Sequence, residues 1–155
     1  MSIYLQQEYD FIERTKKIIK QYETIKEKEK YEVTLLLNCF VGLLILPQQY
    51  WYEHQPETII SEKDWGISPE HIIFIKKEEI KNVKNVVRHL RNAISHYHFV
   101  AFSDDNKSIS HIKFEDYDMS SNKTFEATLS VENINKFVGI FSEHMLRLMA
   151  ASRQT

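Results

Sequence analysis

Between Glu78 and His96 the apolar residues fall on one side of a helical repeat. Ile80, Val83, Val87, Leu90 and Ile94 are spaced three, four, three and four apart, the period of an α-helix that buries one narrow face. At about 100° per residue, Lys81, Lys84, Arg88, Arg91 and Ser95 form an adjoining stripe ~80° wide, with Asn92 and His96 extending its edge. No acid falls in that stripe, although the chain carries 22 Asp and Glu. A charged stripe is ordinarily a solvated face. After Tyr97 the helical period is lost. The stretch Leu90-Arg91-Asn92-Ala93-Ile94-Ser95-His96-Tyr97-His98-Phe99 therefore marks the end of a helix and the start of strands, and the rest of the fold must be arranged around that junction.

Downstream, His98–Phe102, Ile109–Phe114 and Phe125–Ser130 are short segments rich in β-branched and aromatic residues. They are parted by the turn-forming clusters Asp104-Asp105-Asn106-Lys107 and Asp118–Asn122, which predicts a small antiparallel meander. A last helix starts with Ser130 as cap, shows Ile134, Phe137, Val138, Phe141, Met145 and Leu148 on one face, and frays by Ala151-Ser152-Arg153. Upstream, Leu5, Tyr9, Ile12, Ile19 and Tyr22 predict an amphipathic helix over residues 3–29, closed by the solvated run Lys26–Lys30. Residues 31–46 are apolar almost all round until Pro47. That run is shorter than the ~20 residues of a membrane span and is interrupted by Asn38, so a core helix needing cover on several sides is expected. Residues 48–68, with Trp51, Tyr52 and Trp65-Gly66, read as a long loop with aromatic contacts. Ser68-Pro69-Glu70 is a helix-start signal, and Ile72–Ile75 fits either a short helix or a strand.

The bounds are those of an ordinary globular protein. At 155 residues one domain, 1–155, is expected. Net charge is −2, so any nucleic-acid contact must come from a local patch. The lone Cys39 can form no internal disulfide, which suits a reducing cytoplasm. No secretory signal or membrane span is expected. Three glycines leave little material for a Gly-rich phosphate loop.

The bare spacing of an arginine and a histidine five positions apart is a weak signal. Its filling, Arg91-Asn92-Ala93-Ile94-Ser95-His96, resembles the signature of the HEPN superfamily, small helical proteins many of which are metal-independent ribonucleases. Two more stretches are similar to a bacterial, often plasmid-borne, HEPN subfamily. They are Tyr31–Asn38 running to Gly42–Gln48, and Leu129-Ser130-Val131. The resemblance implies a mainly α fold, a HEPN-like helical bundle with the β-meander between the motif helix and the C-terminal helix. It also implies a homodimer with Arg and His of both protomers in one cleft, and a toxin–antitoxin or phage-defence setting with an antitoxin or regulatory partner. Some HEPN toxins carry a modifiable tyrosine two residues after the histidine; here His98 stands there.

The residues themselves suit RNA cleavage without a metal or cofactor. His96 can move the proton of a 2′-hydroxyl or of the leaving oxygen. Arg91 presents a charged planar fork to the phosphate, while Asn92 and Ser95 orient and His98 can support or replace His96. Lys81, Lys84 and Arg88 are the candidate RNA guides. The bland alternative gives Arg91 and His96 only helix-end and interface roles; the functional alternative is a non-catalytic HEPN module binding RNA, a nucleotide or a protein partner. A zinc site from His89, His96 and His98 is disfavoured because no carboxylate or cysteine stands at ligand spacing. His54, His71, His111 and His144 read as surface or structural, and Glu115, Asp116 and Asp118 as solvated strand-and-turn positions.

Overall fold

A computed structural model describes residues 7–26, 31–45, 54–104 and 108–151. Helix α1 (Gln7–Glu23) ends before Thr24, short of the expected 29, while residues 3–6 and most of the Lys26–Lys30 run lie outside the described residues. Helix α2 (Glu32–Ile45) is the apolar run. A single 3-10 turn (Pro69–His71) follows Ser68, whose amide and hydroxyl both meet His71 Nδ1, at 3.0 and 3.1 Å. Strand β1 (Ile72–Ile75) settles the ambiguous segment as extended. Helix α3 (Val83–Ser95) carries the motif; strands β2 (Phe99–Phe102), β3 (His111–Tyr117) and β4 (Lys123–Ser130) then lead to helix α4 (Val131–Ala151).

The strands form one antiparallel sheet in the order β1-β4-β3-β2. The expected meander is therefore present as β2-β3-β4, and β1 adds a fourth strand against β4, with Ile75 opposite Phe125. In β3, Ile112, Phe114 and Asp116 point inward while Lys113 and Glu115 stay half-exposed, the two-residue alternation of a sheet with one covered face.

The helices pack as α1 on α2 and α4, and α2 on α3 and α4; α3 and α4 cover the sheet. Helix α2 thus has neighbours on several sides. Leu36, Cys39, Phe40, Leu43 and Leu44 are buried, so this chain itself supplies much of the cover that such a helix needs. Phe40 meets Phe114 of β3 and Phe137 of α4 edge-on, each at a centroid distance of 6.0 Å. It ties both layers together, and removing a buried ring of this kind costs about 3–5 kcal/mol. Burial also pushes the Cys39 thiol pKa up.

The loop before β1 is fixed to α4 by Trp65, which is buried and meets the His144 ring edge-on at 5.5 Å. Gly66 follows at φ +82, where a Cβ would lie 2.8 Å from the Phe137 amide nitrogen. Both the left-handed backbone and the close approach call for glycine. At the head of α4, the Ser130 hydroxyl accepts the Asn133 N–H at 3.0 Å, the cap that the sequence placed there. Among the described residues, no helix is long and apolar enough to cross a membrane.

Candidate active site

Helix α3 begins later than its periodicity suggests. Asn82 takes the cap position and its side chain accepts the Asn85 N–H at 2.8 Å, a strong N-cap signal. Lys76–Glu79 consequently form a turn, closed by the Glu79 N–H to Lys76 O at 2.9 Å, and Ile80, expected on the core face, is 61% exposed. The buried face of α3 is instead Val83, Val86, Val87, His89, Leu90, Ala93 and Ile94. It is broader than the predicted face and is rotated toward His89.

The imidazole of His89 is 1% exposed and stacks on Phe125 at 4.8 Å. Its Nδ1 lies 2.7 Å from Asp116 Oδ2, and its Nε2 lies 2.7 Å from Glu79 Oε2. Each ring nitrogen thus faces a carboxylate oxygen. Arg88 donates to the same Glu79 oxygen, and Asn92 Nδ2 donates to Asp116 Oδ2 at 3.1 Å. Burial raises the pKa of both carboxyls. Hydrogen bonds from His89 and Asn92 to Asp116, and from Arg88 and His89 to Glu79, outweigh it, leaving both below their ordinary values. Asp116 is thus not the solvated residue that its strand-and-turn setting suggests. The one sequence signal was its place in the alternation Ile112, Phe114, Asp116.

At its other end α3 stops in a Schellman turn. His98 N–H donates to Ala93 O at 2.7 Å and Tyr97 N–H to Ile94 O at 3.1 Å, with Tyr97 at φ +60. Glycine usually fills that position; a tyrosine there bears a cost of roughly 1–2 kcal/mol. The turn throws His96 and His98 to one side, where their rings lie 6.0 Å apart at 29°. His98 O accepts the Glu115 N–H at 2.9 Å, which anchors the turn to β3.

These two imidazoles, with Tyr117, Asp118, Met119 and Ser121, line an open pocket of about 430 Å³. His96 and His98 are therefore brought together. Arg91 and Asn92 do not line that pocket; Asn92 is committed to Asp116 and Arg91 is half-buried on α3. Five residues of helix place Arg91 and His96 about 140° apart around the axis, which explains the separation. Ser95 is exposed beside His96.

Two charges of the cationic stripe, Lys84 and Arg88, are matched by acids from outside α3. Lys84 Nζ lies 3.0 Å from Glu57 Oε1, Arg88 pairs with Glu79, and Lys81 Nζ donates to Ile72 O at 3.4 Å. His89 is engaged by carboxylates away from solvent, and among the described residues no group of three or more His, Cys, Asp or Glu is placed to hold a metal ion. Glu115 sits among Lys113, Lys123 and Glu126, and His111 faces Asp104 at 3.1 Å.

A model of the family described as HEPN pEK499 p136 matches residues 1–150 of the chain. No curated protein and no solved structure matches it.

Proposed function

Because the chain belongs to the HEPN pEK499 p136 family, we propose that it is a metal-independent endoribonuclease. The observation that carries this reading is the pair of imidazoles, His96 and His98, in one open pocket. Cleavage through the RNA's own 2′-hydroxyl needs two proton transfers. One imidazole takes the 2′-hydroxyl proton as that oxygen attacks phosphorus. The bond from phosphorus to the 5′-oxygen breaks, and the other imidazole, in its protonated form, gives that oxygen a proton. The products are a 2′,3′-cyclic phosphate and a free 5′-hydroxyl. DNA lacks the nucleophile and is not a substrate.

Arg91 is the phosphate clamp in this reading. Since it does not line the His96/His98 pocket of its own chain, a second copy is the source that fits best, giving a homodimer with composite sites. Asn92 positions the helix end through Asp116, and Lys81, Lys84 and Arg88 attract the RNA. An antitoxin or other regulatory protein would restrain such an activity. The same separation of Arg91 from the pocket favours the second reading, a non-catalytic module that binds RNA, a nucleotide or a protein.

The test is incubation of the purified protein with RNA in EDTA, with the product ends identified. Discrete fragments with cyclic phosphate ends are expected, falling about 10²–10⁴-fold in His96→Ala and further when His98→Ala is added. Bound but uncut RNA would favour the second reading.

A further inference from the structure

We infer that the recess between His96, His98, Tyr117 and the Asp118–Asn122 turn is a nucleobase subsite, holding one base of single-stranded RNA beside the bond to be cut. This rests on the ribonuclease reading for its place in the reaction, though not for binding itself. Three features suit a base at the Tyr117 side of the pocket, with the bond to be cut at the His96 side. The first is ring surface: Tyr117 stands at 80° to His98 with centroids 5.1 Å apart, so imidazole and phenol make two walls of a corner. Aromatic walls hold bases by stacking. The second is charge. The lining has no Lys or Arg, and the Asp118 carboxylate is taken up by the turn's own N–H groups and by Lys76 at 3.7 Å, so the Tyr117 side offers no cation to draw a phosphate there. The third is Met119, whose side chain is fully exposed at the rim. An unbranched thioether is an adaptable cover for a flat ring.

The turn is set before any ligand arrives. Asp118 Oδ1 accepts the Ser120 and Asn122 N–H groups, both at 2.9 Å, and Ser121 N–H donates to Asp118 O at 2.9 Å with Ser121 at φ +61. A fixed wall lowers the ordering cost of binding. Bases in a duplex are already stacked and paired, so the subsite selects unpaired nucleotides. Every base has a π-face, so the preference among bases is modest; purines, with the larger face, are favoured.

The experiment titrates the full chain with the four nucleoside 3′-monophosphates and with ribose 5-phosphate, following binding by calorimetry. Nucleotides should bind more tightly than the base-less sugar phosphate. Tyr117→Val, which keeps a strand-forming residue, should weaken nucleotide binding roughly 5- to 150-fold and leave ribose 5-phosphate unchanged. Met119→Ala, on an exposed turn, should weaken it less and provides the reading should Tyr117→Val fold poorly. Nucleotides bound no better than ribose 5-phosphate, or bound equally by both variants, would overturn the subsite. Base-dependent binding without RNA cleavage by the unaltered chain would keep the subsite and remove the ribonuclease; cleavage without base-dependent binding would do the reverse.

Discussion

His89 Nδ1 and Asp116 Oδ2 lie 2.7 Å apart, joining the motif helix to the third strand through a contact sealed from solvent. Because Asp116 also takes the Asn92 amide and is followed by Tyr117 of the pocket, this contact fixes how α3 meets the strand that bears one wall of the candidate site. Buried pairs are stabilising only relative to their broken forms. Asp116→Ala, which leaves the imidazole facing one carboxylate alone, should cost about 3–5 kcal/mol in urea unfolding. A loss under 1 kcal/mol would mean that His89 finds another partner.

The same cluster sets an acid limit. Asp116 and Glu79 titrate below their ordinary 3.8 and 4.5 in the folded chain. A carboxyl depressed by folding adds stability that is complete above its unfolded value and is lost as pH falls through its folded one. Melting temperature should therefore hold down to about pH 4.5 and drop below it. Asp116→Asn should shallow that drop. An unchanged acid limb in the variant would show that other carboxyls govern it.

Tyr97 gives a second stability test. It occupies the left-handed position of the Schellman turn and is 80% exposed. Strain of this sort persists where the surroundings impose it and is common at functional sites. Tyr97→Gly should relieve the strain at the expense of some unfolded-state entropy, for a net gain of up to about 1 kcal/mol. If stability falls instead, the ring contact with Phe99 at 5.0 Å outweighs the backbone strain.

How much of this was visible in the sequence varies by element. Helix α3, the β2-β3-β4 meander and the Ser130 cap follow from period and turn chemistry, which act locally. The core face of α3 is wider than apolar spacing alone implies, because an apolar count passes over a histidine; His89 shares an arc with Val86 and Ala93, but its burial depends on Asp116 and Glu79, which no local pattern pairs with it. Ile80 continued the spacing, yet Asn82 capped the helix after it. The stripe groups Arg91, Asn92, Ser95 and His96 at one end of the helix, whereas the pocket takes His96 alone of the four; the turn of about 140° between Arg91 and His96 accounts for the difference. That His98 would join His96 depended on a left-handed tyrosine, a conformation that the residue type disfavours.

The cationic stripe predicts a split outcome. Lys81 and Lys84 should each lower the slope of log binding against log salt by roughly one unit or less when changed to Gln, if each touches a phosphate. Arg88→Gln should act mainly on stability, since Arg88 holds Glu79 beside His89. RNA binding unaltered by both lysine changes would return the stripe to a solvated face whose charges are balanced by Glu57 and Glu79.

The last prediction concerns the active unit. Within one chain the His96/His98 pocket has two proton-transfer groups and no guanidinium in its lining. A two-fold interface brings the same patch of both chains together, so a motif near the axis is duplicated in one cleft, and Arg91 of one chain can face the pocket of the other. The measurement is mixing. An Arg91→Ala chain combined with a His96→Ala/His98→Ala chain, under conditions that allow exchange, should recover cleavage: the first supplies intact imidazoles and the second an intact Arg91. Each parent alone should be nearly inactive. At most one of the two sites in a mixed dimer is complete, and half of a statistical mixture is mixed, so recovery should reach roughly a quarter of the unaltered activity. Mass measured in the same samples should be that of a dimer. A fully active chain that is monomeric at micromolar concentration, or a mixture no more active than its parents despite proven exchange, would show that each chain builds its site alone or that Arg91 plays no part in it.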